Sequence, residues 1–333
     1  AGPRAVPPPT PAPSLPALPH HELDSARAYA SAARSESTRA LYAREWASFA
    51  AWCEARAVVD LPSHPDTLAA YVASMADAGR KPAGIDAALA AVSQVHHAAG
   101  YDGRALRGSA PVRAVRAGVR RTVGTAQRQA APFTADLLAL VVEHDSPGLV
   151  AVRDRALLLV GHQLLARSSE LAALEVADVS ITARGAALTI RRSKTDQEGR
   201  GAVITLAREK VPCVCPVRAI EAWLRESGIT AGPLFRAVDR WSNLGGPVTR
   251  KDITRRIKLY AVRLGLDPEA FSSHSLRAGG ATSSALAGAD GAAIQRRGRW
   301  RSSAMAARYV RIADAWADNP TSGVLSRAVL ERK

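Results

Sequence analysis

Apolar residues recur every three or four positions through most of this chain and alternate with polar ones in only one short stretch. From about Ser25 to Gly124 the period is helical. Ser35-Glu36-Ser37-Thr38 precedes Leu41, Trp46, Phe49, Ala50 and Trp52. His64-Pro65-Asp66 opens a second helix carrying Leu68, Tyr71, Val72 and Met75, which Gly79 stops. Pro82 stands near the start of a third, with Ile85, Leu89, Val92 and Val95, ended at Gly100. Pro111 opens a fourth, with Val112, Val115 and Val119 as its stripe. Prolines fall at helix starts and glycines just past helix ends, where the backbone favours each. The pattern predicts a helical bundle over residues 25–123. Before it, residues 1–24 read as a disordered or polyproline-like tail, with eight prolines in the first 19 positions. After it, residues 124–132 read as a linker.

A second domain is expected over 133–333. Residues 134–145 and 149–176 have helical spacing, the latter including the apolar run Ala156–Val160. The period then drops to two in Val179–Thr182, Ala187–Arg192 and Ala202–Leu206, separated by Arg184-Gly185 and the polar stretch Thr195–Gly201. That is a small antiparallel sheet. Helices resume over Pro216–Ser227, Arg250–Gly265, His274–Ala287, Ala292–Arg297 and Ser302–Ile312, with a short final one over 320–330. The fold class is mainly α with a small antiparallel β-sheet, in two domains.

Charge narrows the partners. The 333 residues carry 45 Lys and Arg against 30 Asp and Glu, a formal charge of +15. Such a field attracts polyanions, so nucleic acid and anionic membranes are the classes to weigh. The membrane has little support, since no apolar run approaches the roughly 18 residues needed to span and no signal-peptide core is present. Cys53, Cys213 and Cys215 are too few for a disulfide framework, and Cys213-Val214-Cys215 lacks a second Cys/His pair at zinc spacing. A reduced, cytoplasmic protein without metal or cofactor is expected.

Only six of the basic residues are lysines, an arginine bias that genome composition alone can produce, so position matters more than total. Arg104, Arg107, Arg113, Arg116, Arg120, Arg121 and Arg128 lie in a stretch, 103–135, that holds no acid. A solvated helix face would also carry charge, but such faces normally mix signs. Unrelieved like charge favours contact with a phosphate backbone. A second basic helix carries Arg250, Lys251, Arg255, Arg256, Lys258 and Arg263 beside a packing stripe of Ile253, Ile257, Tyr260 and Leu264. Its polar face suits a major groove, though phosphate contact alone also accounts for it.

Candidate chemistry is scattered. Arg167 interrupts an apolar helix and needs a partner there; Glu170, three residues on, shares its face. Lys194 stands at the end of a strand, where a lysine is ordinarily solvent-exposed. His274 and Arg277 are one helical turn apart, with Ser272 or Ser273 as cap and Gly279-Gly280 following. Glycines inside a helix cost about 1 kcal/mol each relative to alanine, so close backbone packing is expected. Trp300 lies among Arg296, Arg297, Arg299 and Arg301, and Tyr309 comes nine residues later between Arg308 and Arg311. Each has a bland reading as a structural ion pair, a surface charge, a cap or a core aromatic.

Their order is the informative feature: Arg, Lys, His-x-x-Arg, Trp and Tyr at intervals of 27, 80, 3, 23 and 9 residues. With His274-Ser275-Leu276-Arg277, Ala281-Thr282, Gly298-Arg299-Trp300 and Tyr309, the sequence resembles the tyrosine recombinases of the phage-integrase type. Trp300, where many integrases have His, looks most like the Cre recombinase branch. Ser168 departs from the family, which commonly has an apolar residue after the arginine. The resemblance implies a two-domain C-shaped DNA clamp: an N-terminal helical core-binding bundle plus an α+β catalytic domain.

The chemistry makes sense of the set. Attack on a phosphodiester loads negative charge on its nonbridging oxygens, which Arg167 and Arg277 can bind. His274 can donate to the same phosphate or move a proton, Trp300 offers an N–H donor and an apolar wall, and Tyr309 would be the nucleophile. The resemblance implies that Lys194 is the general acid for the 5′-oxygen and that Glu170 braces the arginines. It also implies a covalent 3′-phosphotyrosine, a Holliday junction, no metal or ATP, and double-stranded DNA with inverted-repeat sites as partner. A homo-tetramer on DNA is implied too, with the 320–330 helix docked on a neighbour. Arg299 and Arg301 join Arg104, Arg107, Arg113, Arg116, Arg120, Arg121, Arg250, Lys251, Arg255, Arg256 and Lys258 as expected DNA contacts. A type IB topoisomerase, a hairpin telomere resolvase and a non-catalytic DNA-binding relative are the alternatives.

Overall fold

The computed structural model describes residues 19–125, 129–143, 147–193, 196 and 199–314. The chain separates into two compact units, Ala1–Gln127 and Arg128–Lys333.

The first unit is helical. Helix α1 (His20–Ala32) starts directly after Pro19, whose extended backbone makes it the last residue outside the helix. Residues 20–24 are therefore helical rather than part of the expected tail, because the proline run ends at 19 and helix-compatible residues follow. In α2 (Glu36–Glu54) the Ser35 hydroxyl accepts the Thr38 N–H at 3.3 Å, one of the donors a helix start leaves without a partner. Helices α3 (Pro65–Asp77), α4 (Pro82–Ala98) and α6 (Ala110–Val123) each carry a proline in the first turn, as the pattern predicts. The short α5 (Gly103–Arg107) is an addition: the Asp102 carboxylate accepts the N–H groups of Arg104 and Ala105. Five residues are too few for a periodicity to register. The predicted apolar stripes meet in one core of Phe49, Leu68, Tyr71, Val72, Ile85, Leu89, Val92 and Val112. Each such side chain contributes about 1.5–3 kcal/mol by leaving water.

The second unit opens with α7 (Ala135–Glu143) and α8 (Leu149–Gln163). The sheet follows as β1 (Val179–Thr182), β2 (Gly185–Ile190) and β3 (Ala202–Ala207), antiparallel in the order β1-β2-β3, with Val179 opposite Leu188 and Leu188 opposite Ile204. Ala186, Leu188, Ile190, Ile204 and Leu206 face the core, whereas Val203 is exposed, which is the alternation read from the sequence. Helix α10 (Pro216–Ser227) lies against α8 and buries Trp223, whose indole N–H donates to the Leu234 carbonyl at 2.6 Å. A second ribbon, β4 (Arg236–Val238) with β5 (Leu244–Pro247), was not legible, being three and four residues long with two glycines.

Helix α11 (Arg250–Arg263) buries Ile253, Ile257 and Tyr260 along the expected stripe. Then come α12 (Ser275–Leu286), α13 (Gly291–Gly298) and α14 (Ser303–Asp314), with α14 packed on the other two. Gly279 and Gly280 give α12 the close packing that the sequence calls for. A Cβ on Gly279 would lie 1.8 Å from the Phe133 carbonyl oxygen, and one on Gly280 2.3 Å from that of His162. The segment before α7 is tied down there, as Phe133 N–H donates to the Ser275 carbonyl at 2.9 Å. Among the described residues no helix is long and apolar enough to cross a membrane.

Candidate active site

The expected helix over 149–176 is two helices with a break, and the break builds the site. Helix α8 ends at Gln163, Leu165 enters the left-handed region at φ 47°, and Arg167 stands extended at the head of α9 (Ser168–Ala172). Arg167 therefore does not interrupt a helix; it caps a short new one. Within this cap the Glu170 carboxylate accepts the Arg167 N–H at 2.9 Å through Oε2 and its guanidinium Nη1 at 2.6 Å through Oε1. The structural Arg–Glu pair that the sequence allowed is present, and Glu170 is buried.

Arg277 comes to the same place from α12. Its Nη1 donates to the Leu165 carbonyl at 2.5 Å, an acceptor exposed by the break, and its Nη2 donates to the Gly298 carbonyl. One guanidinium thus joins the end of α8, the middle of the domain and the end of α13. Burial first, and then the neighbouring Arg167, pull its pKa down to about 10, still well above neutrality. His274 caps α12 one turn earlier and is exposed; its N–H donates to Ser272 Oγ at 3.1 Å. The N-cap residue is thus His274 itself, with no side-chain cap bond, and not Ser272 or Ser273 as the sequence suggested; Ser272 holds the turn that leads into the helix.

Trp300 and Tyr309 complete the cluster. The Arg277 guanidinium lies 4.4 Å from the centre of the Trp300 ring. The Tyr309 ring stacks on the same indole, centroids 5.3 Å apart and planes 24° from parallel. Trp300 can fold back this way because the residue two before it is glycine: a Cβ on Gly298 would meet the indole at 2.4 Å. The apolar wall expected of Trp300 is therefore used by the tyrosine and an arginine together. Leu165, Ala281, Ala285, Ile294 and Ala306 form the small apolar core against which Trp300 and Tyr309 pack.

Arg299, expected as a DNA contact, turns inward in this structure and is only 12% exposed. Its Nη2 donates to Glu170 Oε2 at 2.5 Å and its Nη1 to the carbonyls of Leu164 and Arg297. Its backbone is left-handed, φ 54° and ψ 42°, a conformation that costs a non-glycine residue about 1–2 kcal/mol. The faint signal in the sequence was a helix ending Gly298-Arg299 rather than with the glycine last. Burial on its own would raise the Glu170 pKa, but Arg299 and Arg167 hold it below the ordinary carboxylate range. Three guanidiniums near one carboxylate leave the cluster with excess positive charge.

Other expected residues divide between solvent and carboxylates. Arg104, Arg107, Arg113 and Arg116 line one cavity of about 410 Å³ in the first unit. The run 103–135 is not relieved only by an outside anion, however. Asp86 of α4 accepts Arg116 at 2.6 Å and Arg120 at 2.7 Å, an acid the local sequence hid because it lies 30 residues away. Arg121, Arg250, Lys251 and Arg301 are exposed. Arg255 pairs with Asp252 at 3.2 Å and Lys258 with Glu269 at 2.7 Å. Arg256 lies 3.8 Å from the buried Asp154, which also accepts the Tyr260 hydroxyl. Lys194, Arg128 and the 320–330 helix lie outside the described residues.

The chain matches known proteins over most of its length. The model of the phage integrase family matches residues 134–315. An integrase/recombinase xerD homolog of Selenomonas ruminantium is 34% identical over 291 residues, covering 86% of this chain and 84% of that protein. A crystal structure of lambda integrase residues 75–356, a dimer bound to a COC′ core site, matches 87% of this chain and 94% of that one. Its TM-score is 0.53 at 17% identity, a likeness of fold. The chain spans 56% of the length of a XerH site-specific recombinase that it also matches, with a TM-score of 0.46. The chain belongs to the phage integrase family, the tyrosine recombinases, whose members transfer DNA strands.

Proposed function

We propose that this protein is a site-specific DNA recombinase that cuts and rejoins strands through a covalent 3′-phosphotyrosine at Tyr309 and a Holliday junction. The observation that carries the reading is the convergence of Arg167, Arg277, Trp300 and Tyr309, distant in sequence, on one half-buried positive cluster.

The scissile phosphate sits against Arg167 and Arg277, which neutralise charge as it develops on the nonbridging oxygens. Tyr309 Oη attacks phosphorus; a bond to the tyrosine forms as the bond to the 5′-oxygen breaks. His274 donates to the phosphate or moves the tyrosine proton, and Lys194 protonates the departing 5′-oxygen. A 5′-hydroxyl then attacks the phosphotyrosine, releasing Tyr309 and restoring a phosphodiester. The number and kind of bonds are conserved, so no nucleotide is needed, and guanidiniums supply the positive charge that other phosphoryl-transfer sites take from a metal. The arginine-lined cavity of the first unit and the exposed basic end of α11 in the second each contact the duplex, at inverted-repeat sites. Two protomers act per site and four per junction, joined through residues 320–330. Trp300 supports a place beside the Cre branch.

The test mixes the chain with fragmented host DNA and sequences adducts that survive SDS, with Tyr309→Phe in parallel. Adducts enriched at one inverted-repeat site and absent in the variant are expected. Adducts scattered over random sites would replace this reading with a type IB topoisomerase. Salt-sensitive binding with no adduct, even on a nicked trapping substrate, would overturn the catalytic reading.

A further inference from the structure

Arg299 carries two costs at once. It holds a left-handed backbone at the end of α13, where glycine sits without strain, and it brings a guanidinium into the interior with only 12% of its side chain exposed. Both costs serve one geometry, since the side chain reaches Glu170 Oε2 at 2.5 Å. A non-glycine residue held against its backbone preference points to a function for its side chain.

Glu170 has two oxygens and two side-chain suitors. Oε1 takes Arg167 Nη1, while Oε2 takes Arg299 Nη2 together with the Arg167 backbone N–H. A carboxylate left alone with an arginine closes a bidentate fork, the strongest pairing available to either group. Such a fork would use two guanidinium N–H groups that a phosphate also needs. We propose that Arg299 is a positioning residue for strand cleavage: by occupying Oε2, it restricts Glu170 to a single side-chain bond with Arg167 and leaves the Arg167 guanidinium available to the scissile phosphate. The inference rests on Arg167 being a phosphate ligand, as proposed above.

Arg299 also keeps Glu170 ionised. The charged groups facing Glu170 are Arg167 at the head of α9, Arg299 at the end of α13 and Arg277 of α12. No described side chain of α8 or α11, which also pack on α9, forms an ion pair with it. Burial works against the carboxylate; the charge of Arg299, and then the hydrogen bonds and charge of Arg167, oppose it. Without Arg299 the Glu170 pKa rises, so the brace on Arg167 is lost at a higher pH.

The experiment uses full-length protein on the site recovered by adduct sequencing, nicked to trap the covalent product. Single-turnover cleavage is measured at saturating protein across pH for the wild type, Arg299→Gly and Arg299→Lys. Glycine suits the left-handed backbone, so this variant is expected to keep its Tm and to bind DNA within about twofold of wild type. Its cleavage rate falls at least tenfold, the acid limb of its pH profile moves to higher pH, and lysine restores part of both. In the Glu170→Gln background, where no carboxylate remains to lock Arg167, the Arg299→Gly effect shrinks to less than threefold. If the glycine variant does not fold, Arg299→Asn replaces it, since asparagine also tolerates this backbone. Cleavage within twofold of wild type, an unmoved acid limb, or an equal loss in the Glu170→Gln background would overturn the inference. Failure of the wild type itself to form an adduct would instead overturn the recombinase reading.

Discussion

The indole of Trp300 lies stacked on the phenol of Tyr309, with their centroids 5.3 Å apart, and carries the Arg277 guanidinium at 4.4 Å. One ring therefore fixes both the expected nucleophile and an expected phosphate ligand. A cation over an indole contributes about 0.5–2 kcal/mol, and an aromatic pair about 0.5–1.5 kcal/mol. Trp300→Ala removes both contacts. Its adduct-forming rate is expected to fall about 10–100-fold, with DNA affinity changed far less; Trp300→Phe keeps most of the stack and loses less. Single-turnover cleavage alongside equilibrium DNA binding checks this, and a parallel loss of both quantities would refute it.

Gly279 and Gly280 set how closely α12 approaches its neighbours. A methyl group at either place meets a backbone carbonyl oxygen at 1.8 or 2.3 Å, and backbone cannot rotate aside as a side chain can. Gly279→Ala and Gly280→Ala are expected to destabilise the protein by about 3 kcal/mol or more, beyond ordinary overpacking. Gly118 in α6 makes the contrast, since a Cβ there has nothing within 4 Å. Gly118→Ala is expected to stabilise by about 0.5–1 kcal/mol through the unfolded chain. Urea unfolding of the three variants measures both signs.

Asp86 holds Arg116, which lines the basic cavity, and Arg120. Burial alone would raise its pKa, but hydrogen bonds from Arg120 and Arg116 hold it below the ordinary aspartate range. With a depressed folded pKa, its contribution is complete above the unfolded pKa near 4 and disappears as pH falls through the lower folded value. Asp86→Asn is expected to cost about 0.5–1 kcal/mol at neutral pH, while strengthening non-specific DNA binding and steepening its salt dependence. Arg113→Ala acts the other way, weakening binding and lowering the salt slope by about one. Fluorescence anisotropy against a random duplex over a salt series distinguishes them.

His162, buried under α12, has its pKa pulled down to about 4 by desolvation. The unfolded chain binds a proton at this residue below about pH 6.5, whereas the folded protein does not until about pH 4. The stabilising difference is therefore present in full above pH 6.5 and shrinks as pH falls towards 4. Between pH 7.5 and 5 the loss is about 2 kcal/mol. Urea midpoints at the two pH values, compared between wild type and His162→Gln, isolate this component; equal pH dependence in both would sink it.

Much of the fold was legible because helices announce themselves locally. Val112, Val115 and Val119, the first-turn prolines 65, 82 and 111, and the alternation through Leu188 and Ile190 each encode an element within a few residues. The errors lie where local signals are weakest: the left-handed turn at Leu165 inside an apolar run, the five-residue α5, and the β4–β5 ribbon. The list of candidate site residues came from a different kind of signal, the order of residue types along the chain, which resembles that of the tyrosine recombinases.

The sequence by itself determined the helical class, the small sheet, the family resemblance and which side chains have the chemistry to act. Only the tertiary structure decided their pairing: Asp86 with Arg116 and Arg120, Arg299 with Glu170 rather than with solvent, and Arg277 and Tyr309 on one indole. The partners in these pairs stand up to 129 residues apart in the chain. Periodicity is a property of neighbours a few residues apart, whereas the energy of an ion pair or a ring stack depends on a separation of a few ångströms, which packing alone sets.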